Sequence, residues 1–274
     1  MKIKQSVLDL FVLACVCLFV AGGCTKTKTL STTPVTGKTI VDEDKKPGKT
    51  AAEINVQLGL EYMRQDNLPA ALEKLEKAVK QDPKLPSAHN SIAVLYERLG
   101  EDKLADKHYR KALRLSPKDP MAQNNYGTYL CRSGRYQESL GHFRKAAEDP
   151  LYDFPELALS NAAMCANLIP DHDKARELLS MALEIDAEFP PALIQMALVN
   201  YNAGDYFRAR AFLERYLGLV KANPGSLWLG VRIEEKMGNQ SAMLNYANTL
   251  KGQYPDSEQT RELLEWENER RTRQ

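Results

Sequence analysis

The sequence predicts an all-α protein: a right-handed superhelical solenoid of six helix pairs, closed by a C-terminal capping helix. Two observations carry this. A 34-residue pattern recurs six times, at about 52–85, 86–119, 120–153, 156–189, 190–223 and 223–256. Within each copy, residues of a given size return at the same place. The first copy carries Leu58-Gly59, Tyr62, Ala71, Ala78 and Pro83, and the second carries Ile92-Ala93, Tyr96, Ala105, Ala112 and Pro117. The third has Tyr126-Gly127, Phe143 and Ala146, and the fourth Ala162-Ala163, Ala175 and Ala182. The fifth has Met196-Ala197 and Ala209, and the sixth Leu229-Gly230, Ala242 and Tyr246.

This spacing is that of the tetratricopeptide repeat (TPR), an antiparallel pair of helices. Small residues at positions 8, 20 and 27 belong where helices cross, because a larger side chain would push the backbones apart. Aromatic or aliphatic residues at positions 7, 11 and 24 fill the space beside them. Proline at position 32 stops the second helix, since it has no amide hydrogen and clashes with the preceding turn. Glycine at position 15 (Gly100, Gly134, Gly204) suits the tight turn inside each pair. The register slips twice. Phe154-Pro155 are extra residues before the fourth copy, and the sixth copy is irregular around Gly238. Both slips predict local changes of superhelical pitch rather than a second domain. Residues 257–274 are left for the capping helix and a tail.

The N-terminal flank reads differently. Lys2 and Lys4 precede an apolar run from about Val7 to Val20, which ends in Ala-Gly-Gly-Cys at Cys24. The run is too short for a transmembrane helix and carries Asp9. Residues 1–23 therefore read as a lipoprotein signal peptide, with Cys24 the lipidation site. Ala21 stands where the processing peptidase usually meets leucine, so the motif is imperfect, and Cys15 is a competing site with a shorter apolar run. Thr25 follows Cys24 where an inner-membrane retention signal would place Asp, which favours the outer membrane. Residues 24–50 are Thr- and Lys-rich with few apolar groups, the composition of a disordered, acylated tether reaching ~28 Å on average.

Removing Lys2, Lys4 and Asp9 with the leader leaves 35 basic and 35 acidic residues. A neutral chain lacks the basic excess that nucleic-acid binding needs, and none of the common hydrolase, phosphate-loop or zinc motifs is present. No cofactor, metal, catalytic residue or small-molecule substrate is therefore expected, and the chain reads as a non-enzyme. His108 and His142 fall 34 residues apart on second helices and read as solvated helix surface. Cys131 and Cys165 lie at positions 12 and 10 of neighbouring first helices, which do not face squarely. Two thiols, one of them buried, is the expectation, with a disulfide the alternative that an oxidising periplasm allows.

Grooves of stacked helix pairs bind other proteins. The groove is lined by the first helices, chiefly at positions 2, 5, 6, 9, 12 and 13. Position 6 reads Gln57, Ser91, Asn125, Asn161 and Gln195, then Trp228. Side-chain amides donate and accept at once, so this ladder suits an extended peptide backbone. Position 13 reads Arg64, Arg98 and Arg132, an arginine ladder confined to the N-terminal half, and position 9 is mostly apolar, beginning with Leu60 and Val94. Trp228 apart, these ten residues are the expected partner-binding groove.

The segments NNYGTYLCRSGRYQESLGHFRKAAEDPLY, PELALSNAAMCANLIPD, FPPALIQMALVNYNAGDYFRARAFLERYL and SLWLGVRIEEKMGN, behind a lipoprotein-type leader, closely resemble the type IV pilus biogenesis lipoproteins of PilF/PilW type. The resemblance spans about Ala52 to Asp256 and includes the insertion at Phe154-Pro155. It implies a pilotin: an outer-membrane protein, anchored through N-terminal acyl chains, that binds the pilus secretin and promotes its localisation and multimerisation. It implies no catalysis. The alternative is a scaffold for outer-membrane assembly or for peptidoglycan enzymes, also built as a TPR lipoprotein.

Overall fold

The computed structural model describes residues 49–169 and 172–272. The expected signal peptide, Cys24 and nearly all of the expected tether lie outside the described residues. The described residues form thirteen α-helices and no strand. Six pairs follow one another: α1 (Ala51–Arg64) with α2 (Leu68–Gln81), α3 (Pro86–Arg98) with α4 (Asp102–Leu115), and α5 (Pro120–Arg132) with α6 (Tyr136–Ala147). Then come α7 (Pro155–Leu168) with α8 (His172–Ile185), α9 (Pro190–Asn202) with α10 (Tyr206–Leu219), and α11 (Pro224–Lys236) with α12 (Gln240–Gln253), before α13 (Glu258–Thr272). Successive first helices touch one another, and each second helix also packs on the first helix that follows. The result is an all-α TPR solenoid.

Local chemistry sets the element ends. Pro opens α3, α5, α7, α9 and α11, where its missing amide hydrogen is one of the unpaired donors anyway. Thr50 and Glu53 form a capping box at the start of α1. Gly100, Gly134, Gly204 and Gly238 turn the chain inside their pairs at φ between 72° and 82°, and Asp66 takes that role in the first pair at φ 57°. Only glycine adopts this conformation freely.

The core is one seam along the solenoid. Ala71, Ala78, Ala105, Ala112, Ala146, Ala175, Ala182 and Ala209 are completely buried. Gly59 and Gly127 show why position 8 is small. A Cβ on Gly59 would meet the Leu75 side chain at 2.5 Å, and one on Gly127 would meet the Phe143 ring at 2.9 Å.

The two slips resolve differently. At Phe154-Pro155, Pro155 becomes the first residue of α7, while α6 has only 12 residues against the 14 of α4 and α8. A cleft of about 620 Å³ opens there between α6 and α8, floored by Phe143, Leu159 and Ala162. The sixth pair is regular instead. Counted from Pro224, its helices and Gly238 keep the positions of the third and fifth pairs. The expected irregularity came from anchoring the count on Gly230. In this pair Val231 and Ala247, both buried, exchange large for small across the crossing.

Cys131 and Cys165 are joined in a disulfide, with their Cα atoms 5.8 Å apart, which corrects the expectation of two thiols. Because α7 starts at Pro155, Cys165 is the eleventh residue of its helix and Cys131 the twelfth of α5. One residue of rise is only ~1.5 Å, so the two reach each other across adjacent first helices.

The two ends of the solenoid differ. At the C-terminus α13 packs on α11 and α12, buries Leu263 completely, and is held by a hydrogen bond from Thr260 Oγ1 to the Tyr254 carbonyl at 2.6 Å. At the N-terminus no described helix covers α1. Leu58 is 42% exposed, whereas its equivalents Ile92, Tyr126 and Met196 are 1%, 3% and 5% exposed.

Candidate functional site: the groove of the first helices

The expected groove residues all lie on first helices, but many of them are engaged with each other. The position-6 ladder is a set of staples between neighbouring first helices. Asn125 Nδ2 donates to Asn90 Oδ1 at 3.4 Å, Asn161 Nδ2 to Asn124 Oδ1 at 3.0 Å, and Gln195 Nε2 to Ser160 Oγ at 2.7 Å. Those three amides are half-buried, Ser91 is buried, and only Gln57, with no preceding repeat, is exposed. An amide that donates one N–H to the preceding first helix keeps its other N–H and its carbonyl for a bound peptide. The reason lies in position 5, where Asn90, Asn124 and Ser160 present acceptors to the following repeat.

The arginine ladder behaves alike. Arg98 Nη1 donates at 2.9 Å to the Met63 carbonyl at the end of α1, which also accepts from the Asp66 N–H at 3.3 Å. Arg132 Nη1 donates to Glu97 Oε1 at 2.7 Å, and Arg64 pairs with Glu61. Each guanidinium keeps further donors toward the groove, and the Arg132 and Arg64 side chains are 68% and 78% exposed. Arg98 and Arg132 thus link repeats as well as presenting charge. Leu60 is exposed and Val94 half-buried on the same face.

α1 carries an apolar patch of its own. Ile54, Leu58 and Leu60 are 46%, 42% and 44% exposed, and with Gln57, Glu61 and Arg64 they line a shallow depression. Sequence reasoning put Leu60 in the groove but missed Ile54 and Leu58. The signal was available: the first copy has no predecessor, so its position-7 residue has nothing to pack against.

His108 and His142 are not the solvated surface expected of them, whereas His172 is exposed. His108 and His142 are half-buried and His89 is buried. His89 Nδ1 lies 3.0 Å from His108 Nδ1, and His89 Nε2 lies 3.0 Å from the Pro83 carbonyl. A carbonyl only accepts, so His89 carries its proton on Nε2 and His108 Nδ1–H donates to the bare His89 Nδ1. Both rings are then neutral. Burial, with the neighbouring His89, lowers the His108 pKa to about 4, and burial lowers that of His89 too. One repeat on, Gln123 donates to the Pro117 carbonyl at 2.8 Å and its Oε1 faces His142 Nδ1. These are polar joints within each pair, and sequence spacing gave no sign of them.

A tyrosine and acid network braces the second and third pairs. The Tyr109 hydroxyl donates to Glu97 at 2.9 Å, and burial holds its pKa far above the usual tyrosine range. Tyr126 donates to Asp106 at 2.9 Å and is pushed up to about 12, by burial first and then by that carboxylate. Burial alone would raise Asp106, but hydrogen bonds from Tyr126, Arg110 and Arg135 outweigh it and hold its pKa low. Such groups are locked, not poised for proton transfer. Among the described residues no group of three or more His, Cys, Asp or Glu side chains could hold a metal ion, and no helix is long and apolar enough to cross a membrane.

Comparison with known proteins follows this geometry. A TPR repeat model matches residues 59–100, and tetratricopeptide repeat models match 86–119 and 108–141. The type IV pilus assembly protein PilF of Pseudomonas aeruginosa is 29% identical over 224 residues, covering 80% of this chain and 89% of PilF. The crystal structure of PilW, described as a widely conserved type IV pilus biogenesis factor, superposes with a TM-score of 0.74 at 32% identity. It covers 79% of this chain and all of that one. A solved structure of P. aeruginosa PilF gives a TM-score of 0.70 at 29% identity, covering 78% of this chain and 96% of that one. The chain belongs to the PilF/PilW family of TPR proteins of type IV pilus biogenesis.

Proposed function

We propose that this chain is a pilotin. It is a non-catalytic lipoprotein held at the periplasmic face of the outer membrane through Cys24, and it binds the pilus secretin and promotes its localisation and multimerisation there. Family membership supports a role in pilus assembly, and the leader ending at Cys24 supports the anchor. The observation that carries the binding mode is the uncovered face of α1. Ile54, Leu58 and Leu60 stay exposed at one end of a solenoid whose other end is capped by α13.

The secretin segment would lie against this apolar face and continue along the first helices. There the outer donors of Arg64, Arg98 and Arg132 meet its carboxylates or carbonyls. Val94 extends the apolar strip, Asn125, Asn161 and Gln195 hold the helices that frame the groove, and Gln57 and Ser91 continue their row. Delivery then follows from the lipid: binding a partner to an acylated protein confines it to the membrane, and more than one acyl chain makes the confinement stable.

Deleting the gene and immunoblotting separated membranes for heat-resistant secretin oligomers tests the reading. Loss or inner-membrane retention of the oligomers is expected, with rescue by the wild-type gene and none by Cys24→Ser. Normal outer-membrane oligomers in the deletion strain would refute it.

A further inference from the structure

The C-terminal half of the groove holds a second depression, of about 290 Å³, between α9 and α11. Its wall is apolar. Ile194 and Leu198 come from one face of α9, and Trp228 and Leu229 from α11. Arg232, one turn after Trp228, stands at its edge with its guanidinium 4.6 Å from the centre of the Tyr201 ring. The other arginines on first helices, Arg64, Arg98 and Arg132, each hold an acceptor of this chain. Among the described residues Arg232 holds none: its only contact of this kind is the face of Tyr201. The acids that follow it are engaged elsewhere. Glu234 is buried against Arg210, and Glu235 faces Arg270 at 3.4 Å.

We propose that this depression is a peptide subsite for a carboxylate next to a bulky apolar side chain. The apolar side chain enters between Leu198 and Trp228, and the carboxylate takes the open donors of Arg232. Three features favour that occupant. The volume suits one anchoring side chain rather than a free small molecule, whose pockets are usually larger. Contact with the face of Tyr201 uses none of the guanidinium N–H groups, which remain available as donors. Among the described residues no acid pairs with Arg232, and its positive charge selects an anion. The subsite is separate from the uncovered α1 face, at the other end of the groove. A partner long enough to occupy both would gain from the two sites acting together.

The test uses the full-length chain in detergent and its intrinsic tryptophan fluorescence, since one of its two tryptophans lines the depression. The probes are three blocked hexapeptides: Gly-Ser-Phe-Glu-Gly-Ser, the same with Gln for Glu, and the same with Ala for Phe. The first should change the emission saturably with a Kd of about 1 mM or tighter. The other two should bind at least about tenfold more weakly, the effect of losing one charge-assisted hydrogen bond or one apolar anchor. Arg232→Gln should bring the Glu peptide down to the level of the Gln peptide. Equal binding of the Glu and Gln peptides, or no saturable change with any of them, would overturn the proposal. The peptide comparison needs no altered protein, so it stands even if Arg232→Gln folds poorly.

Discussion

Breaking the bridge between Cys131 and Cys165 should cost this solenoid a large part of its stability. The two cysteines are 34 residues apart, so the bond closes a loop of one full repeat. In the chain-entropy account, a loop of that length restricts the unfolded chain by ~4 kcal/mol at 25 °C. Both cysteines are buried, so Cys131→Ala with Cys165→Ala removes two sulfurs and leaves no stranded polar group. For a protein of this size, roughly 2–4 °C of Tm accompany each kcal/mol, which predicts a loss of ~8–15 °C. The assay is thermal unfolding by circular dichroism of the soluble chain carrying Cys24→Ser, with and without dithiothreitol. Reductant should lower the Tm of the parent toward that of the Ala/Ala variant and leave the variant unmoved. Parent and variant melting together, or a parent indifferent to reductant that reaches the bond, would refute the reasoning.

Further outcomes follow from the packing and the joints. Ala105→Leu, at a fully buried helix crossing, should destabilise by ~1–3 kcal/mol through overpacking, visible in the urea midpoint. His108 ordinarily titrates at 6.5 and here at about 4. The unfolded chain therefore binds the extra proton first, and stability falls as pH drops from 6.5 to 4. The loss is ~3 kcal/mol at most and nearer ~1–2 after allowance for partial exposure. His108→Gln should flatten that part of the Tm-against-pH curve relative to the parent. Arg98→Glu with Arg132→Glu should weaken secretin binding and, because both side chains link repeats, also lower stability by ~1–3 kcal/mol. Lys77→Glu with Lys107→Glu, on exposed second-helix positions, should change neither.

The sequence laid the architecture open because the repeat encodes it several times over. One alanine or glycine says little; a small residue at the same place in five successive copies (Gly59, Ala93, Gly127, Ala163, Ala197) says where helices cross. What it concealed was what side chains do with one another across repeats. Asn125, Asn161 and Gln195 were legible as a ladder, but the acceptors at Asn90, Asn124 and Ser160 sit one residue earlier in the copy before and so escaped notice. The disulfide was hidden by an insertion that starts α7 one residue early. The His89–His108 joint was hidden because the residues face each other only when the pair closes. Ile54 and Leu58 were hidden by treating the first copy as if it had a predecessor.

The measurement closest to the central claim is a titration of the secretin's soluble periplasmic domains with the soluble chain, parent against Leu58→Asp. Leu58 is already 42% exposed, so the substitution leaves the fold intact. Binding should weaken at least tenfold, ~1.4 kcal/mol, with the melting temperature preserved. Unchanged affinity in Leu58→Asp would contradict it, and would move the secretin contact away from the uncovered face of α1.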